Sequence, residues 1–323
     1  MKLTVVIPSR DKLPLLQRTL AALWNQDLPA ENWNVVVVDD DSHDGTGAWL
    51  AEESARRQGR LTVVAPPSNV GRAAARNLGA RAATAEAVLF LDDDIVAPPG
   101  LLSAHLAILA QHPGDGTIGL VRTAPDVLDA PHFHYLDTRG VAKTQQATVP
   151  ARYLVTQNTG VPRAAFLAIG GFDESFRAYG FEDMDLGFRL EDAGVRFRPL
   201  RDPVPEHVHH HTLDQWLAKK RECGHGPLQH LARRHPHRLR EMRLDLLFAP
   251  GGQRPETACR LARGPVTVLA AALRSLALRW PCGDGYRPRA FPMYARCLDL
   301  LVLSTYCQGL TDRVAEPFGT DEA

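Results

Sequence analysis

No cysteine occurs before Cys223 in this chain of 323 residues, and the five that follow (Cys223, Cys259, Cys282, Cys297 and Cys307) form no C-x-x-C pair. An odd set without paired spacing argues against a disulfide framework and predicts a reducing compartment. Charge of one sign is lacking too. The 37 basic residues balance 37 acidic ones, which leaves no chain-wide field to draw in nucleic acid. No apolar run approaches the ~20 residues that span a bilayer. The apolar opening from Leu3 to Pro8 is too short for a secretory leader. The expected location is therefore the cytoplasm, the inner face of the membrane included. The glycines of a dinucleotide-binding turn are missing as well. The first apolar run leads into Pro8-Ser9-Arg10, and Gly45-Thr46-Gly47 comes only after the second. A dinucleotide oxidoreductase would need those glycines at the first turn.

What is present is an alternation of short apolar runs and amphipathic stretches. Leu3 to Pro8 predicts a buried strand. Pro14 opens a helix with Leu16, Leu20 and Leu23 on one face. Val35 to Val38, all β-branched, predicts a second strand. A helix from Thr46 to Gln58, a strand from Leu61 to Ala65, an alanine-rich helix from Gly71 to Thr84 and a strand from Ala87 to Leu91 follow. This order predicts an α/β fold: a Rossmann-like, mainly parallel sheet flanked by helices. Residues 122–150, with Pro125, Pro131 and Pro150, predict loops and an edge strand at most. Short helices are expected at Arg163–Ile169 and Glu182–Ala193, a strand at Val195–Pro199, and helix from Thr212 onward. The expected division is a nucleotide-binding domain over 1–225 and a helical C-terminal extension over 226–323. Within that extension Val266, Leu269, Leu273, Leu276 and Trp280 share one helical face. Such a stripe suits internal packing first, and also a homodimer or a membrane surface. Arg274 and Arg279 in the same helix exclude a spanning role.

Ligands of open parallel sheets bind beyond the carboxyl ends of the strands. Two acidic triplets sit at two such ends, Asp39-Asp40-Asp41 and Asp92-Asp93-Asp94. Adjacent carboxylates repel unless a positive charge compensates. A divalent cation, Mg²⁺ or Mn²⁺, would do so while bridging to substrate phosphates. If the segment is extended, Asp92 and Asp94 face one way and Asp93 the other. A solvated acidic turn or a helix cap explains the same residues without a ligand. Asp40 could accept a hydrogen bond from a base or a ribose, whereas Asp41, Ser42 and Asp44 read as a turn that caps the next helix. Arg72, at the start of the third helix, suits a diphosphate together with the helix dipole. Arg76 and Asn77, one turn further in, suit bracing of the acidic loops. Glu182, Asp183 and Asp185 crowd another helix start, where the dipole favours carboxylates. A carboxylate there could also take the proton of an acceptor hydroxyl.

The segments Val5-Val6-Ile7-Pro8-Ser9, Val37-Val38-Asp39-Asp40-Asp41-Ser42-His43-Asp44-Gly45-Thr46, Asn69-x-Gly71-x-Ala73-Ala74-Ala75-Arg76-Asn77-x-Gly79, Leu91-Asp92-Asp93-Asp94, Gly170-Gly171-Phe172-Asp173-Glu174 and Gly180-Phe181-Glu182-Asp183-Met184-Asp185 occur in that order. Taken together they resemble the family 2 glycosyltransferases with the GT-A fold, over roughly residues 1–225. The resemblance implies transfer of a sugar from a nucleotide-diphosphate sugar to an acceptor hydroxyl, with inversion. The alternative is a transferase-like module that binds the nucleotide sugar without chemistry. The resemblance further implies that Pro8, Ser9 and Asp40 hold the base of a UDP- or dTDP-sugar, with a GDP-sugar also admitted. Asp93 would contact the donor's ribose or sugar. Asp94, with Asp92, would bind Mn²⁺ or Mg²⁺. Asp183 would be the general base, with Glu182, Gly171 and Phe172 on the acceptor side. The acceptor would be a saccharide, a lipid-linked sugar or a small molecule, and no nucleic acid is implied. Where this family carries Gly or Asn after the first acidic pair, this chain has Asp41.

The run Glu206-His207-Val208-His209-His210-His211 admits three readings. If extended, His207, His209 and His211 share a face. They are then solvated imidazoles, or one of them completes the cation site, or they form a separate zinc site with Cys223 or His225. The resemblance favours His209 as the cation ligand, with His207 or His211 as substitutes.

Overall fold

The structure, a computed structural model, describes residues 1–127, 131–242, 244–245, 247–249, 251–253, 256–280 and 291–311. Cys282 lies outside them, and Cys223, Cys297 and Cys307 are free thiols. The described residues fall into two compact units, the first within Met1–Leu128, Leu136–Arg177 and Glu182–His210, the second within Asp129–Tyr135, Ala178–Phe181 and His211–Ala323.

The first unit is a sheet wrapped by helices. Its strands and helices run β1 (Leu3–Ser9), α1 (Leu13–Trp24), β2 (Trp33–Asp39), α2 (Thr46–Arg56), β3 (Leu61–Val64), α3 (Arg72–Ala82), β4 (Ala87–Leu91), β5 (Ile95–Val96), α4 (Leu101–Gln111), β6 (Gly116–Gly119) and β7 (Arg122–Thr123). After the short helix α5 (Pro131–Asp137) come β8 (Asn158–Pro162), α6 (Arg163–Ala168), α7 (Glu182–Asp192), β9 (Phe197–Leu200) and β10 (Glu206–His207). Seven strands form one sheet in the order β3-β2-β1-β4-β8-β6-β9. β1 pairs in parallel with both β2 and β4, and β2 with β3. The apolar faces of these strands and of α1, α2 and α4 close a core that includes Val5, Ile7, Leu16, Leu20, Leu23, Val35, Val37, Leu89 and Leu101. Each such buried aliphatic chain contributes about 1.5–3 kcal/mol.

The strands β5, β6, β8 and β10 were not expected from the sequence. β8 runs antiparallel between β4 and β6 in the middle of the sheet. Its residues Asn158, Thr159 and Gly160 break the apolar run that marks a buried strand. The structure satisfies their polarity from within. His105 of α4 lies between Thr117 (Nδ1 to Oγ1, 2.7 Å) and Asn158 (Nε2 to Oδ1, 2.8 Å). Burial drives the pKa of His105 down to about 4, so it serves as a neutral strut. The 122–150 region holds the two-residue edge strand β7, as the sequence allowed, and a helix where loops were expected.

A second, three-stranded sheet, β5-β10-β7, sits just after the Asp92-Asp93-Asp94 segment. Its register pairs His207 with Ile95. This small sheet decides which histidine meets the acidic triplet.

The second unit is helical: α8 (Leu213–His225), α9 (Pro227–Arg234), α10 (Glu256–Leu278) and α11 (Phe291–Thr311). A capping box starts α8, with Thr212 and Gln215 bonded reciprocally. Leu228, Ala232, Leu239, Leu244, Phe248 and Leu310 form its core. Gly224 and Gly309 let α8 and α11 approach closely, since a Cβ at either would meet the other helix's backbone. The expected apolar stripe of α10 is split: Val266, Leu273 and Trp280 are half-buried, with the Trp280 ring against Tyr294 of α11, and Leu269 and Leu276 face outward. Leu269 and Leu276 are each 47% exposed, while Ala270 and Ala277 are buried. Packing of α10 against its neighbours uses these small residues together with Trp280, and Leu269, Leu276 and Leu278 line the outer face. Among the described residues, no helix is long and apolar enough to cross a membrane.

Candidate active site

Parallel pairing of β1, β2 and β4 brings Ser9, Asp39 and Leu91 to the same end of the sheet. The chain leaves β4 and turns at once, with Ile95 N bonded to the carbonyl of Asp92 (3.4 Å). That turn overrides the alternation expected of an extended segment. Asp93 and Asp94 share Lys12, and Asp92 takes Arg76. Ser9 Oγ donates to Oδ2 of Asp93 (2.8 Å), and Lys12 Nζ joins Oδ1 of Asp93 (2.8 Å) to Oδ2 of Asp94 (2.9 Å). Thr19 Oγ1 fixes the carbonyl of Asp93, and Val208 N that of Asp94.

The environments of the two carboxylates differ. Burial pushes Asp93 up to about 6, only partly offset by Lys12, and Asp94 adds to the rise. Burial acts on Asp94 too, but His207 and Lys12 outweigh it and hold Asp94 well below the usual carboxylate range. Nε2 of His207 stands 3.2 Å from Oδ1 of Asp94. That oxygen is buried and has no aligned hydrogen bond among the described residues. An oxygen and an imidazole nitrogen bound at ~2.1 Å and a right angle on one octahedral cation would lie about 3 Å apart. The spacing of Oδ1 of Asp94 and Nε2 of His207 is therefore one that a divalent cation could bridge.

His209 is not placed like this. β10 ends at His207, so the alternation expected through His211 stops there. The His209 ring is 6.1 Å from that of His207. His211, in the second unit, packs instead against the tilted rings of His132 and Phe133. Among the described residues, His207, His209 and His211 do not gather their ligand atoms around one point. Oδ1 of Asp92 accepts from Nη2 of Arg76 (2.8 Å), while its charge also acts on His207.

Arg76 is the hub of a second carboxylate group. It is buried on α3, with Nη1 3.9 Å from Oε1 of Glu182, and it also attracts Asp183. Asp183 accepts from Thr156 twice, from Oγ1 (2.6 Å) and from the backbone N (3.1 Å). Burial raises the Asp183 pKa despite Arg76 and Thr156. Burial, reinforced by Asp183, pushes Glu182 up to about 7. Thr156 escaped the sequence reading because it lies in an irregular stretch without a motif. It is delivered to Asp183 by the turn at Ala151–Tyr153, which packs on α7 where Gly187 leaves room for the carbonyl of Ala151.

The Gly170-Gly171-Phe172 loop is pinned by Asn77, whose side chain receives Phe172 N (2.8 Å) and donates to Phe172 O (3.0 Å). Gly171 has φ +73°, and a Cβ there would collide with Asn77, so only glycine fits. Arg189 of α7 pairs with buried Asp185 and donates to the carbonyl of Gly171 (2.6 Å). Asp185 is thus structural.

Asp40 clamps its own loop. Oδ2 accepts from Asn69 (2.8 Å) and Gly71 N (3.0 Å), and Oδ1 from Val70 N (2.7 Å). Three of about four lone-pair sites are used internally, which ties β2 to the start of α3. Arg72 there is exposed, and Pro8 is half-buried beside Val38 of β2. Asp44 bonds the first amides of both α1 and α2, as expected of a capping residue. A cavity of about 280 Å³ lined by Lys2, Trp33, Asn34 and Arg60 lies at the opposite, amino ends of the strands.

A mainly parallel sheet with buried carboxylates at its carboxyl ends defines the GT-A class of fold. The chain belongs to glycosyl transferase family 2, whose family model matches residues 4–172. A model described as the N-terminal domain of galactosyltransferase matches residues 141–212. Validoxylamine A glucosyltransferase of Streptomyces hygroscopicus subsp. jinggangensis is 30% identical over 231 residues, covering 62% of this chain and 54% of the relative. Pre-mycofactocin glycosyltransferase of Mycobacterium tuberculosis is 33% identical over 251 residues, covering 72% of this chain and 48% of the relative. The chain thus spans about half the length of these curated relatives. Among solved structures, a mannosyltransferase from Pyrobaculum calidifontis in complex with GDP-Man and Mn²⁺ superposes with a TM-score of 0.63 at 22% identity, over 95% of this chain and 86% of that one. TarS of S. aureus in complex with UDP gives 0.54 at 19% identity, over 95% and 90%.

Proposed function

We propose that the protein is a hexosyltransferase that moves a sugar from a nucleotide-diphosphate sugar to an acceptor hydroxyl with inversion. The observation that carries the reading is the arrangement at the strand ends. Asp93 and Asp94 form one acidic group, Asp183 forms another, and Arg76 and Asp92 lie between the two in the interaction network. The relatives named as glycosyltransferases, and the fold relatives holding GDP-Man with Mn²⁺ or UDP, support it. A UDP- or dTDP-sugar is the favoured donor and a GDP-sugar the runner-up.

Asp94 and His207 would hold Mn²⁺ or Mg²⁺, which when bound neutralises the charge of the departing nucleoside diphosphate. Ser9 and Lys12 orient Asp93 toward the donor. Arg72, exposed at the start of α3, supplies positive charge for the diphosphate together with the helix dipole. Asp183, aimed by the two donors of Thr156, takes the proton from the acceptor hydroxyl as that oxygen attacks the anomeric carbon. Attack from the face opposite the diphosphate gives inversion. Gly171 and Phe172, held by Asn77, and Glu182 border the acceptor side. The outer apolar face of α10, with Val268, Leu269, Leu276 and Leu278 exposed, supports contact with a second copy or a membrane surface.

Calorimetry with UDP, dTDP and GDP, with and without Mn²⁺, tests the donor site. At least one nucleotide should bind, and Mn²⁺ should tighten it. His207→Ala should weaken the Mn²⁺-dependent part about 10–100-fold, and His209→Ala should leave it within about twofold. No binding by any nucleotide would remove the donor reading. An unchanged His207→Ala would remove that histidine from the cation site.

A further inference from the structure

Lys12 was marked by no sequence pattern, yet it occupies the centre of the acidic group. Its ammonium bonds Oδ1 of Asp93 and Oδ2 of Asp94 at 2.8 and 2.9 Å, and its side chain is one-third exposed. The remaining oxygen of Asp93 is held by Ser9, and that of Asp94 faces His207. Two carboxylates and one ammonium leave the group a single formal negative charge. Affinity of oxygen sites for divalent cations is tuned by the number of charged ligands. An ammonium bonded to the same carboxylate repels an arriving cation. A diphosphate would bring the negative charge that the pair lacks.

We propose that Lys12 is a built-in counter-charge that makes cation binding depend on the nucleoside diphosphate. Cation and donor then enter together, and the cation is held weakly by the protein alone. When the diphosphate leaves, the cation is released with it. The inference rests on the donor-site reading above. Lys12 acts through Asp93 and Asp94 and is a positioning residue.

The test measures Mn²⁺ binding to the full chain from the loss of the free-ion electron paramagnetic resonance signal, with and without UDP, dTDP or GDP. The wild type should bind Mn²⁺ weakly alone and at least about tenfold more tightly with its nucleotide. Lys12→Gln should bind Mn²⁺ alone about tenfold more tightly than the wild type, and the gain from nucleotide should shrink accordingly. Lys12→Arg, which keeps the charge, should behave as the wild type. Asp93→Asn keeps the ammonium and removes a carboxylate, so Mn²⁺ alone should bind still more weakly. It decides the matter if Lys12→Gln does not fold by circular dichroism. Lys12→Gln binding Mn²⁺ alone no better than the wild type would overturn the inference. So would Asp93→Asn binding it as well as the wild type. Either result beside intact nucleotide-dependent binding in the wild type leaves the donor site standing. No Mn²⁺ binding to the wild type with any of the three nucleotides overturns both.

Discussion

Asp183→Asn is expected to lower kcat on the order of 10³-fold while nucleotide binding with Mn²⁺ stays within about threefold of the wild type. The expectation follows from the surroundings of the carboxylate. Thr156 supplies two hydrogen bonds that fix its plane, and asparagine can keep that orientation but cannot accept the proton. The same site sets the pH dependence. Burial raises the Asp183 pKa, and transfer needs the ionised form. kcat should therefore fall as pH drops through a value above the ordinary 3.8 of an aspartate. Stability runs the other way. A carboxylate whose folded pKa is raised contributes stability below its unfolded pKa and loses that contribution as pH rises through the folded one. Asp183→Asn should thus gain melting temperature relative to the wild type when pH is raised from 5 to 8. A rate profile with an acidic limb at the ordinary aspartate value would remove Asp183 as the base, and so would turnover unchanged in the variant.

Asp94→Asn is expected to abolish the Mn²⁺-dependent part of donor binding, a loss of at least about 100-fold, and turnover with it. Asp94 is the carboxylate held most firmly in its ionised form, because His207 and Lys12 outweigh its burial. Its Oδ1 is a buried oxygen without an aligned hydrogen bond among the described residues. Removing its charge leaves Lys12 and His207 facing a neutral amide, which further repels a cation. Calorimetry separates this outcome from unfolding. Metal-independent nucleotide affinity should persist at the wild-type level, and a loss of both together would assign Asp94 a structural role instead.

Much of the sheet was legible because β1, β2 and β4 are mostly apolar runs, the last two followed by acidic triplets. The triplets at Asp39 and Asp92 could be placed at strand ends for the same reason. β8 was not legible, since Asn158 in its run is satisfied by a partner far away in sequence, His105. The choice between His207 and His209 lay equally out of reach. It depends on the register of a two-residue strand against Ile95, and such pairing leaves no periodic trace. Asp92 and Asp94 were expected to share a direction, and the turn bonded through Ile95 N sent Asp92 to Arg76 instead. Arg76 and Asn77 were read as braces of the acidic loops from their depth in α3; Arg76 pairs with Asp92, whereas Asn77 holds the Gly170-Gly171-Phe172 loop instead. Lys12 and Thr156 carried no sequence signal, because each is defined by what a distant strand or turn brings to it. The outward leucines of α10 follow from close packing through Ala270 and Ala277, which a hydrophobic stripe does not foretell.

Crystals of the full chain soaked with UDP, dTDP or GDP and Mn²⁺, measured at the manganese absorption edge, bear most directly on the central claim. The account predicts an anomalous peak within about 2.5 Å of both Oδ1 of Asp94 and Nε2 of His207, with a nucleoside diphosphate at the carboxyl ends of β1, β2 and β4. A peak remote from these two atoms, or a nucleotide seated at the amino ends of the strands near Trp33 and Arg60, would contradict it.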